Sequence, residues 1–325
     1  MNAHQAAQRG VASLHARAQL YAQIRAFFAD RGVLEIETPV LSVAGNTDPQ
    51  IDSLRCEFNG PLHAGGRTRY LRTSPEYFHK RLLAAGSGPI YELGKVFRDG
   101  EFGARHNPEF SMLEWYRPGW DHHRLMDEVA ELVNVLLQTA GQGSWPVRRL
   151  TFAELFQRYA GVDPFAVDMG QLHALLAGLG VNAESLDRDQ CLDYLRAAVI
   201  EPELPEATLT FVSEFPASQS ALARIRPGDP PVAERFELYL GRVELANGYF
   251  ELTDAAEQRQ RLLCDQARRQ SEQRHVPPID DALLAALEAG MPDCAGVALG
   301  VDRLLMALGQ HSDIASVLSF PFDQA

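Results

Sequence analysis

The sequence predicts an α+β fold in which an antiparallel sheet is flanked by helices, and three observations support this prediction. Apolar residues recur at helical spacing in several separate segments. In Ile90–Arg98 and again in Phe110–Pro118, the residues of interest recur at every second position, as they do on one face of a strand. Gly241–Arg242 interrupts an apolar segment and is typical of a tight turn between antiparallel strands.

The composition is that of a globular chain with a large core. The 325 residues are 46% hydrophobic and 22% charged, which suits one large domain or two ordinary ones. No apolar run has the length of a membrane span, and the N-terminal residues lack the apolar core of a signal peptide. The four cysteines lack CxxC spacing, so we expect a reducing, cytoplasmic environment and no zinc site.

The first predicted element is an amphipathic helix over Val11–Arg31. Apolar side chains recur on one face from Leu14 to Phe28, and Gly32 ends the helix. Val33–Thr38 is then predicted to be a strand.

A second strand, Tyr70–Glu76, is predicted to run into a turn, followed by a short helix over Tyr77–Ala85. Ser74 is a candidate N-cap, with Glu76 in the first helical turn. A carboxylate at that position can also face a ligand, so the capping and binding interpretations are compatible.

The central segment is the predicted hairpin of Ile90–Arg98 and Phe110–Pro118. If the polar faces of its strands coincide, Arg98 lies on the same side of the sheet as Glu114 and Tyr116. The connecting loop carries three side chains able to bind a phosphate or a purine edge, namely Arg105, His106 and Asn107. The alternative is a surface hairpin with solvated charges, which would have little use for this set of groups.

The middle of the chain contains predicted helices but no catalytic motif. Its predicted helices are His122–Ala140, Leu150–Tyr159, Gln171–Leu179 and Asp189–Ala198. We find no catalytic pattern in Gly141–Ala207, and interpret the lone His173 there as a packing or surface residue.

Further strands follow. Thr208–Ala223 is predicted to form a strand, a turn and another strand, and Phe236–Thr253 a hairpin turning at Gly241–Arg242. In that register Tyr239 faces Glu244, and Glu237 lies diagonal to Glu244 at roughly 7–8 Å. Two carboxylates so placed can bind one or two Mg²⁺ ions that also hold phosphate oxygens. Asn247–Gly248 is interpreted as another turn.

The C-terminal segment ends in a strand that leads into a helix. Gln258–His275 and Leu283–Ala289 are predicted helices, and Val297–Leu299 is a buried strand. Gly300 starts a helix that contains Arg303, where small residues let a phosphate approach the helix N-terminus.

Several of these segments resemble motifs of the class II aminoacyl-tRNA synthetases. FRDGEFGARHNPEFSMLEWY resembles motif 2 in its lysyl form, the helix and strand of Val11–Pro39 resemble motif 1, and GVALGVDRLLMAL resembles motif 3. The motifs occur in the family order, and ELANGYFELTD is specific to the lysyl branch. The resemblance implies the class II catalytic fold and a homodimer built through motif 1.

The lysyl-tRNA synthetases carry an N-terminal OB-fold, for which this chain has no room before motif 1. We therefore expect residues 1–325 to form a single catalytic domain. Such a free-standing domain resembles the elongation factor P–lysine ligase family, which activates (R)-β-lysine with ATP and attaches it to a lysine side chain of elongation factor P. Ala298 supports this branch, because the lysyl-tRNA synthetases have glycine there. A departure from the family is Asp99–Gly100–Glu101 after Arg98, which leaves open whether Glu101 or the backbone of Gly100 meets the adenine.

The resemblance implies roles for particular residues. Arg98, Glu244 and Arg303 would be catalytic. ATP would be bound by Arg98, Asp99, Gly100, Glu101, Arg105, His106, Asn107, Phe110, Glu244, Leu245, Gly300 and Arg303. The amino acid would contact Ser74, Pro75, Glu76, Glu114, Tyr116, Asn247, Glu251 and Ala298, and Glu237 with Glu244 would hold Mg²⁺.

The predicted partners are lysine or β-lysine, elongation factor P and a second copy of the chain. The formal net charge of −13 argues against tRNA, because basic residues supply most of the affinity for nucleic acids. One alternative is a truncated lysyl-tRNA synthetase or another lysine-activating ligase. Another is a catalytically silent regulatory protein, which the presence of Arg98, Glu244, Glu251 and Arg303 disfavours.

Overall fold

The computed structural model describes residues 3–61 and 66–325. Its helices are α1 (Ala3–Ala29), α2 (Glu76–Ala84), α3 (His122–Thr139), α4 (Phe152–Tyr159), α5 (Met169–Gly178), α6 (Arg188–Leu195), α7 (Ala255–Ser271), α8 (Asp281–Gly290) and α9 (Val301–Leu308). A short π-helix, Arg196–Ile200, continues α6. None of the helices in the described ranges is both long enough and apolar enough to cross a membrane.

Two sheets form among the described residues. The large one has the order β1 (Leu34–Glu35), β5 (Ile90–Phe97), β6 (Glu109–Pro118), β12 (Cys294–Gly300), β11 (Val243–Phe250), β10 (Val232–Leu240), β8 (Leu209–Pro216), β7 (Val147–Thr151), with β9 (Ile225–Arg226) paired to β10. The small one is β2 (Leu41–Ser42), β4 (Thr68–Leu71) and β3 (Arg55–Glu57). The α+β prediction is confirmed, and only the outer pairs β1–β5 and β7–β8 are parallel.

Helices α1, α3 and α9 cover one face of the large sheet, whereas α4 and α6 pack on the other face near β8 and α2 and α8 pack on it near β6. In α3, the predicted inward positions from Leu125 to Leu136 are buried against strands β6, β10, β11 and β12. In α1, Leu20, Ile24 and Phe28 are buried, while Leu14 at 51% exposure is not. The apolar face of α1 thus extends beyond what this chain covers.

The predicted central hairpin is confirmed. β5 pairs with β6 so that Glu92 faces Glu114, Gly94 faces Met112 and Ile90 faces Tyr116. The two polar faces therefore coincide, and the following residue, Arg98, accompanies them through the bond from its N–H to the Pro108 carbonyl.

Three predicted elements are wrong in detail. Leu150–Tyr159 is not all helix, because its first two residues belong to β7 and Thr151 caps α4 through a capping box with Glu154. The second strand predicted within Thr208–Ala223 is absent from that described segment, because the chain leaves the sheet at Pro216 and enters a 3₁₀ turn. The helix predicted to reach His275 ends at Ser271.

The hairpin of β10 and β11 turns at Gly241–Arg242 as predicted, with Tyr239 opposite Glu244. A bulge between Leu238 and Tyr239 shifts the register, so Glu237 faces Asn247 directly, while it stays two residues from Tyr239, the partner of Glu244. Asn247–Gly248 is no turn.

Gly248 lies within β11, where it allows close packing. A Cβ atom at this position would be 2.4 Å from the Phe236 ring. The glycine that we interpreted as a turn signal is therefore needed for contact with the core.

Candidate active site

A cavity of about 790 Å³ lies over the sheet. Its walls come from strands β6, β11 and β12, from the start of α2, from the segment 42–53, and from α6, the π-helix and α7. The predicted site residues thus come together from segments far apart in sequence.

One row of side chains crosses five strands beneath this cavity. The register places Glu92, Glu114, Ala298, Asn247 and Glu237 side by side. Neighbouring strands are about 4.8 Å apart. Ala298 therefore lies midway between an acidic side chain of β6 and an amide side chain of β11.

The small residues of β12 leave a trough between the side chains of β6 and those of β11. Gly296, Ala298 and Gly300 line the cavity. A Cβ atom at Gly296 would be 2.3 Å from the Tyr116 ring and 2.5 Å from Glu251 Oε1, so only glycine fits there. The sequence analysis did not single out Gly296, although its alternation with Ala298 and Gly300 is visible in the sequence.

Three carboxylates form the acidic part of the cavity, the buried Glu114 and Glu251 and the partly buried Glu76. The Tyr116 hydroxyl donates to Glu114 Oε1 at 2.8 Å. Oxygens Glu114 Oε2 and Glu251 Oε1 have no hydrogen-bond partner among the described residues. Buried carboxylate oxygens left in this state favour a cationic ligand.

Lys80 belongs to this acidic part and was missed in the sequence analysis. Its Nζ lies 2.7 Å from both Glu76 Oε1 and Glu251 Oε2, and the side chain is fully buried. Burial raises the pKa of Glu251 to about 8, against the opposing effect of the Lys80 ammonium. Its position one turn after Glu76 on α2 was the available signal.

A second layer orients Glu114. His79 Nε2 is 3.0 Å from Glu92 Oε2, and His79 Nδ1 is 3.5 Å from Glu114 Oε1. Arg72 Nη2 contacts Glu92 Oε1 at 2.7 Å. Burial would raise the pKa of Glu92, but the hydrogen bonds from His79, Arg72 and Thr38 outweigh it and lower that pKa to about 2. Glu92 therefore stays ionised and holds His79 in place.

Four arginines, Arg98, Arg196, Arg235 and Arg303, form the arginine-rich part of the cavity. Arg98 lies over the Phe110 ring at 5.2 Å. Arg303 donates to the Glu244 carbonyl at 2.9 Å and to His106 Nε2 at 2.7 Å. Burial and the adjacent Arg303 lower the pKa of His106, which favours a neutral imidazole that accepts this bond.

The loop after β5 places Asp99, Gly100 and Glu101 differently relative to the cavity. Among the described lining residues, Glu101 is on the cavity wall and the other two are not. Glu101 also contacts Arg98 at 3.4 Å. The geometry therefore favours Glu101 as the acid that faces a bound base.

Other residues predicted to bind a substrate hold the loops of the site in place or line its cavity. Asn107 donates to the Glu109 carbonyl and accepts from the Phe322 N–H, so its amide is engaged in holding the loop. Pro75 precedes α2, and Ser74 accepts from the Glu76 N–H at 3.2 Å. Leu245, Gly300 and Arg105 line the cavity.

Of the two carboxylates predicted to bind Mg²⁺, Glu244 is accessible from the cavity, whereas Glu237 is already ion-paired. Glu244 lines the cavity with 40% of its side chain exposed and suits a metal bound jointly with phosphate oxygens. Both oxygens of Glu237 are occupied, Oε1 by Arg235 at 2.5 Å and Oε2 by Arg196 at 2.5 Å. No group of three acidic, histidine or cysteine side chains suited to a metal occurs in the described ranges.

Comparison with known proteins gives a consistent result. Residues 5–324 match the family model described as tRNA synthetases class II (D, K and N). The chain is similar to the elongation factor P–(R)-β-lysine ligase of Vibrio cholerae, with 50% identity over 97% of each chain. It is also similar to the enzymes of that name from Erwinia tasmaniensis and Klebsiella pneumoniae, with 48% and 47% identity over 97% of this chain and 96% of each relative.

Proposed function

The chain belongs to the family of class II tRNA synthetases (D, K and N), and we propose that it is an ATP-dependent ligase for (R)-β-lysine and elongation factor P. It would activate the β-lysine carboxylate as the adenylate and transfer the acyl group to a lysine side chain of elongation factor P. The relatives named for this activity cover 97% of the chain. The single observation that carries the proposal is the pair of unpartnered carboxylate oxygens in the acidic part of the cavity, on Glu114 and Glu251.

Charge balance at these carboxylates favours a substrate with a distal ammonium. Lys80 pairs with Glu76 and Glu251, whereas Glu114 meets the His79 ring at 3.5 Å. A second ammonium would reduce the excess negative charge and occupy the two open oxygens. An uncharged side chain would leave buried carboxylates unpaired, which costs several kcal/mol (about 3–5).

Activation joins two anions, so the arginine-rich part must neutralise charge and align the reactants. A carboxylate oxygen of the amino acid attacks the α-phosphorus of ATP, and pyrophosphate leaves. Arg98 would bridge the carboxylate and the α-phosphate, while Arg303 would hold the γ-phosphate and Phe110 would stack on the adenine. This is catalysis by positioning and by preorganised charge, without a protein nucleophile.

We propose that Mg²⁺ binds with ATP at Glu244, where it would neutralise phosphate charge. The contribution of the protein is a carboxylate that stays accessible beside Arg303. Glu237 could share the metal only if Arg196 moved away from its Oε2 oxygen.

Transfer follows without a further cofactor. The neutral amine of the acceptor lysine attacks the carbonyl carbon of the adenylate, AMP leaves, and an amide bond forms with loss of one proton. The trough over Gly296, Ala298 and Gly300 would hold the reacting carbon, with Asn247 on one side and Glu114 on the other.

We further propose that the enzyme is a cytoplasmic homodimer with one catalytic domain per chain. The apolar side chains left exposed near motif 1, Leu14 at 51% and Leu34 at 58%, suit burial against a second copy. The net charge of −13 favours a protein acceptor over tRNA.

Pyrophosphate exchange with (R)-β-lysine and lysine in parallel tests activation, and labelled β-lysine with purified elongation factor P tests transfer. We expect exchange with β-lysine above that with lysine, and label on elongation factor P that is lost when its acceptor lysine is replaced by arginine. Charging of tRNA with lysine and no label on elongation factor P would instead identify a truncated lysyl-tRNA synthetase.

A further inference from the structure

Arg196 stands between Glu237 and the cavity. Among the described residues that line the cavity are Arg196 and Arg235, while Glu237 is not one of them and its side chain is only 3% exposed. A bound molecule would therefore meet two guanidinium groups at this point of the wall, with the carboxylate behind them.

The position of Arg196 is strongly determined by its contacts. Nη1 donates to Glu237 Oε2 at 2.5 Å and to the Tyr239 hydroxyl at 3.2 Å, and Nη2 donates to Asp193 at 3.2 Å. These contacts use three of the five N–H donors of a guanidinium. Of the remaining donors, the Nε–H is buried without a partner among the described residues and one Nη2 N–H is left for a ligand, and 18% of the side chain is exposed.

The backbone at Arg196 is unusual. Helix α6 ends at Leu195, and Arg196 begins the π-helix, a form that occurs mostly as single turns and often at functional sites. The segment belongs to the region in which the sequence analysis found no catalytic pattern.

Arg196 also belongs to the same electrostatic group as the residues assigned to phosphate. Glu244 is close enough to Arg196, Arg235 and Arg303 for all three to lower its pKa, although burial and Glu237 raise that pKa more strongly. The side chains at Glu244 and Glu237 thus share one cationic environment. A guanidinium is a permanent cation whose planar donors match phosphate oxygens.

We propose that Arg196 takes the place of a metal ion at Glu237, so that the phosphates of ATP meet a fixed guanidinium there and a single metal site remains at Glu244. This inference rests on the proposed function, because it assumes that ATP binds in the arginine-rich part. Glu237 then acts as a positioning residue that holds Arg196 and Arg235 toward the phosphates.

The test is ATP binding by calorimetry, with excess EDTA and across a Mg²⁺ titration, for the wild type, Arg196→Met and Arg196→Lys. We expect Arg196→Met to weaken metal-free ATP binding about tenfold to a hundredfold and to raise the Mg²⁺ concentration for half-maximal binding. Arg196→Lys should recover part of the loss. Arg158→Met, on an exposed face of α4, should bind ATP like the wild type.

A double variant separates contact with phosphate from a merely structural role. Arg196→Met combined with Glu237→Gln leaves no lone buried carboxylate, so it should fold with an unfolding temperature near that of the wild type. If Arg196 contacts phosphate, the double variant still binds metal-free ATP weakly. Recovery of wild-type binding would overturn the proposal, as would a lower Mg²⁺ requirement in Arg196→Met, since the arginine would then compete with the metal.

Failure of the proposed function would look different. Pyrophosphate exchange by the wild type with either diamino acid reports the activity independently of Arg196. Absent exchange with intact ATP binding would contradict the proposed ligase and leave the assignment of Arg196 testable by the same titrations.

Discussion

At the scale of single residues, the proposed mechanism makes adenylate formation depend most on Arg98. Its guanidinium lies over Phe110 and has one weak ion pair, with Glu101 at 3.4 Å. Little of the fold therefore depends on it, and most of its donors are free for a ligand.

Arg98→Ala should abolish pyrophosphate exchange while the unfolding temperature stays within a few degrees of the wild type. The side chain stabilises charge that develops during attack, and single donors of this kind contribute about 3–4 kcal/mol. Exchange assays with saturating ATP measure the loss. Activity within a few-fold of the wild type would show that the assigned role is wrong.

Ala298→Gly should reduce the preference for β-lysine over lysine. The methyl group lies midway between Glu114 and Asn247 in the central row and narrows the space near the α-carbon. One methyl group changes selectivity by about 1–3 kcal/mol, or about ten- to two-hundredfold in relative kcat/KM. Exchange kinetics with both substrates measure the ratio, and an unchanged ratio would contradict this account of the pocket.

Binding of a diamino acid near pH 7 should release protons. Burial raises the pKa of Glu251 to about 8 in the free site, so this carboxyl is partly protonated, and a substrate ammonium favours its charged form. Affinity for lysine should therefore rise with pH and level off above about pH 9.

Calorimetry of lysine binding in buffers of different ionisation enthalpy measures that release. Glu251→Gln should bind more weakly and show no pH dependence from this group. A wild-type enzyme that releases no protons at pH 7 would rule out the protonated state of Glu251.

At the scale of elements, Arg269 connects α7 to the segment 42–53 that forms one wall of the cavity. Its Nε donates to the Thr47 carbonyl at 2.8 Å, and Nη1 contacts Asp52 at 2.8 Å. The side chain is 1% exposed. Helix α7 therefore fixes a wall that has little regular structure of its own.

Arg269→Met should raise KM for the amino acid more than it lowers kcat, because the wall loses its anchor while the reacting groups stay in place. It should also lower the free energy of unfolding by about 1–3 kcal/mol, since the Thr47, Asp48 and Ile51 carbonyls lose their donor. Urea unfolding and exchange kinetics measure both effects. Arg158→Met serves again as the control, and an unaltered KM would contradict the role of the segment.

At the scale of the whole molecule, the proposed dimer rests on the exposed apolar part of α1. Light scattering at micromolar concentration should give the mass of a dimer. Leu14→Asp should favour the monomer, because it puts a charge in a buried interface, whereas Val135→Asp, at 41% exposure on α3, should leave the mass unchanged. A monomeric wild type would contradict the proposed dimer.

Local patterns in the sequence determined much of this molecule. Alternation with period two located β5 and β6, and helical spacing located α3 closely and α1 except for its start, which lies at Ala3 and not at Val11. The central hairpin was predicted from its two strands and the loop between them, and the pairing of β5 with β6 meets the condition that the two polar faces coincide. The same alternation placed Arg98, Glu114 and Tyr116 on one side of the sheet.

Only the tertiary structure decided how distant segments meet. The spacing of Lys80 from Glu76 is visible in the sequence, but its pairing with Glu251 is not, because Glu251 follows it by more than a hundred residues. The bulge that moves Glu237 opposite Asn247 is invisible in the alternation of β10. Arg196 reaches Glu237 because α6 and its π-helix pack beside β10. Such contacts depend on long-range packing, and a buried charge acquires its partner, and so its function, only when that packing has formed.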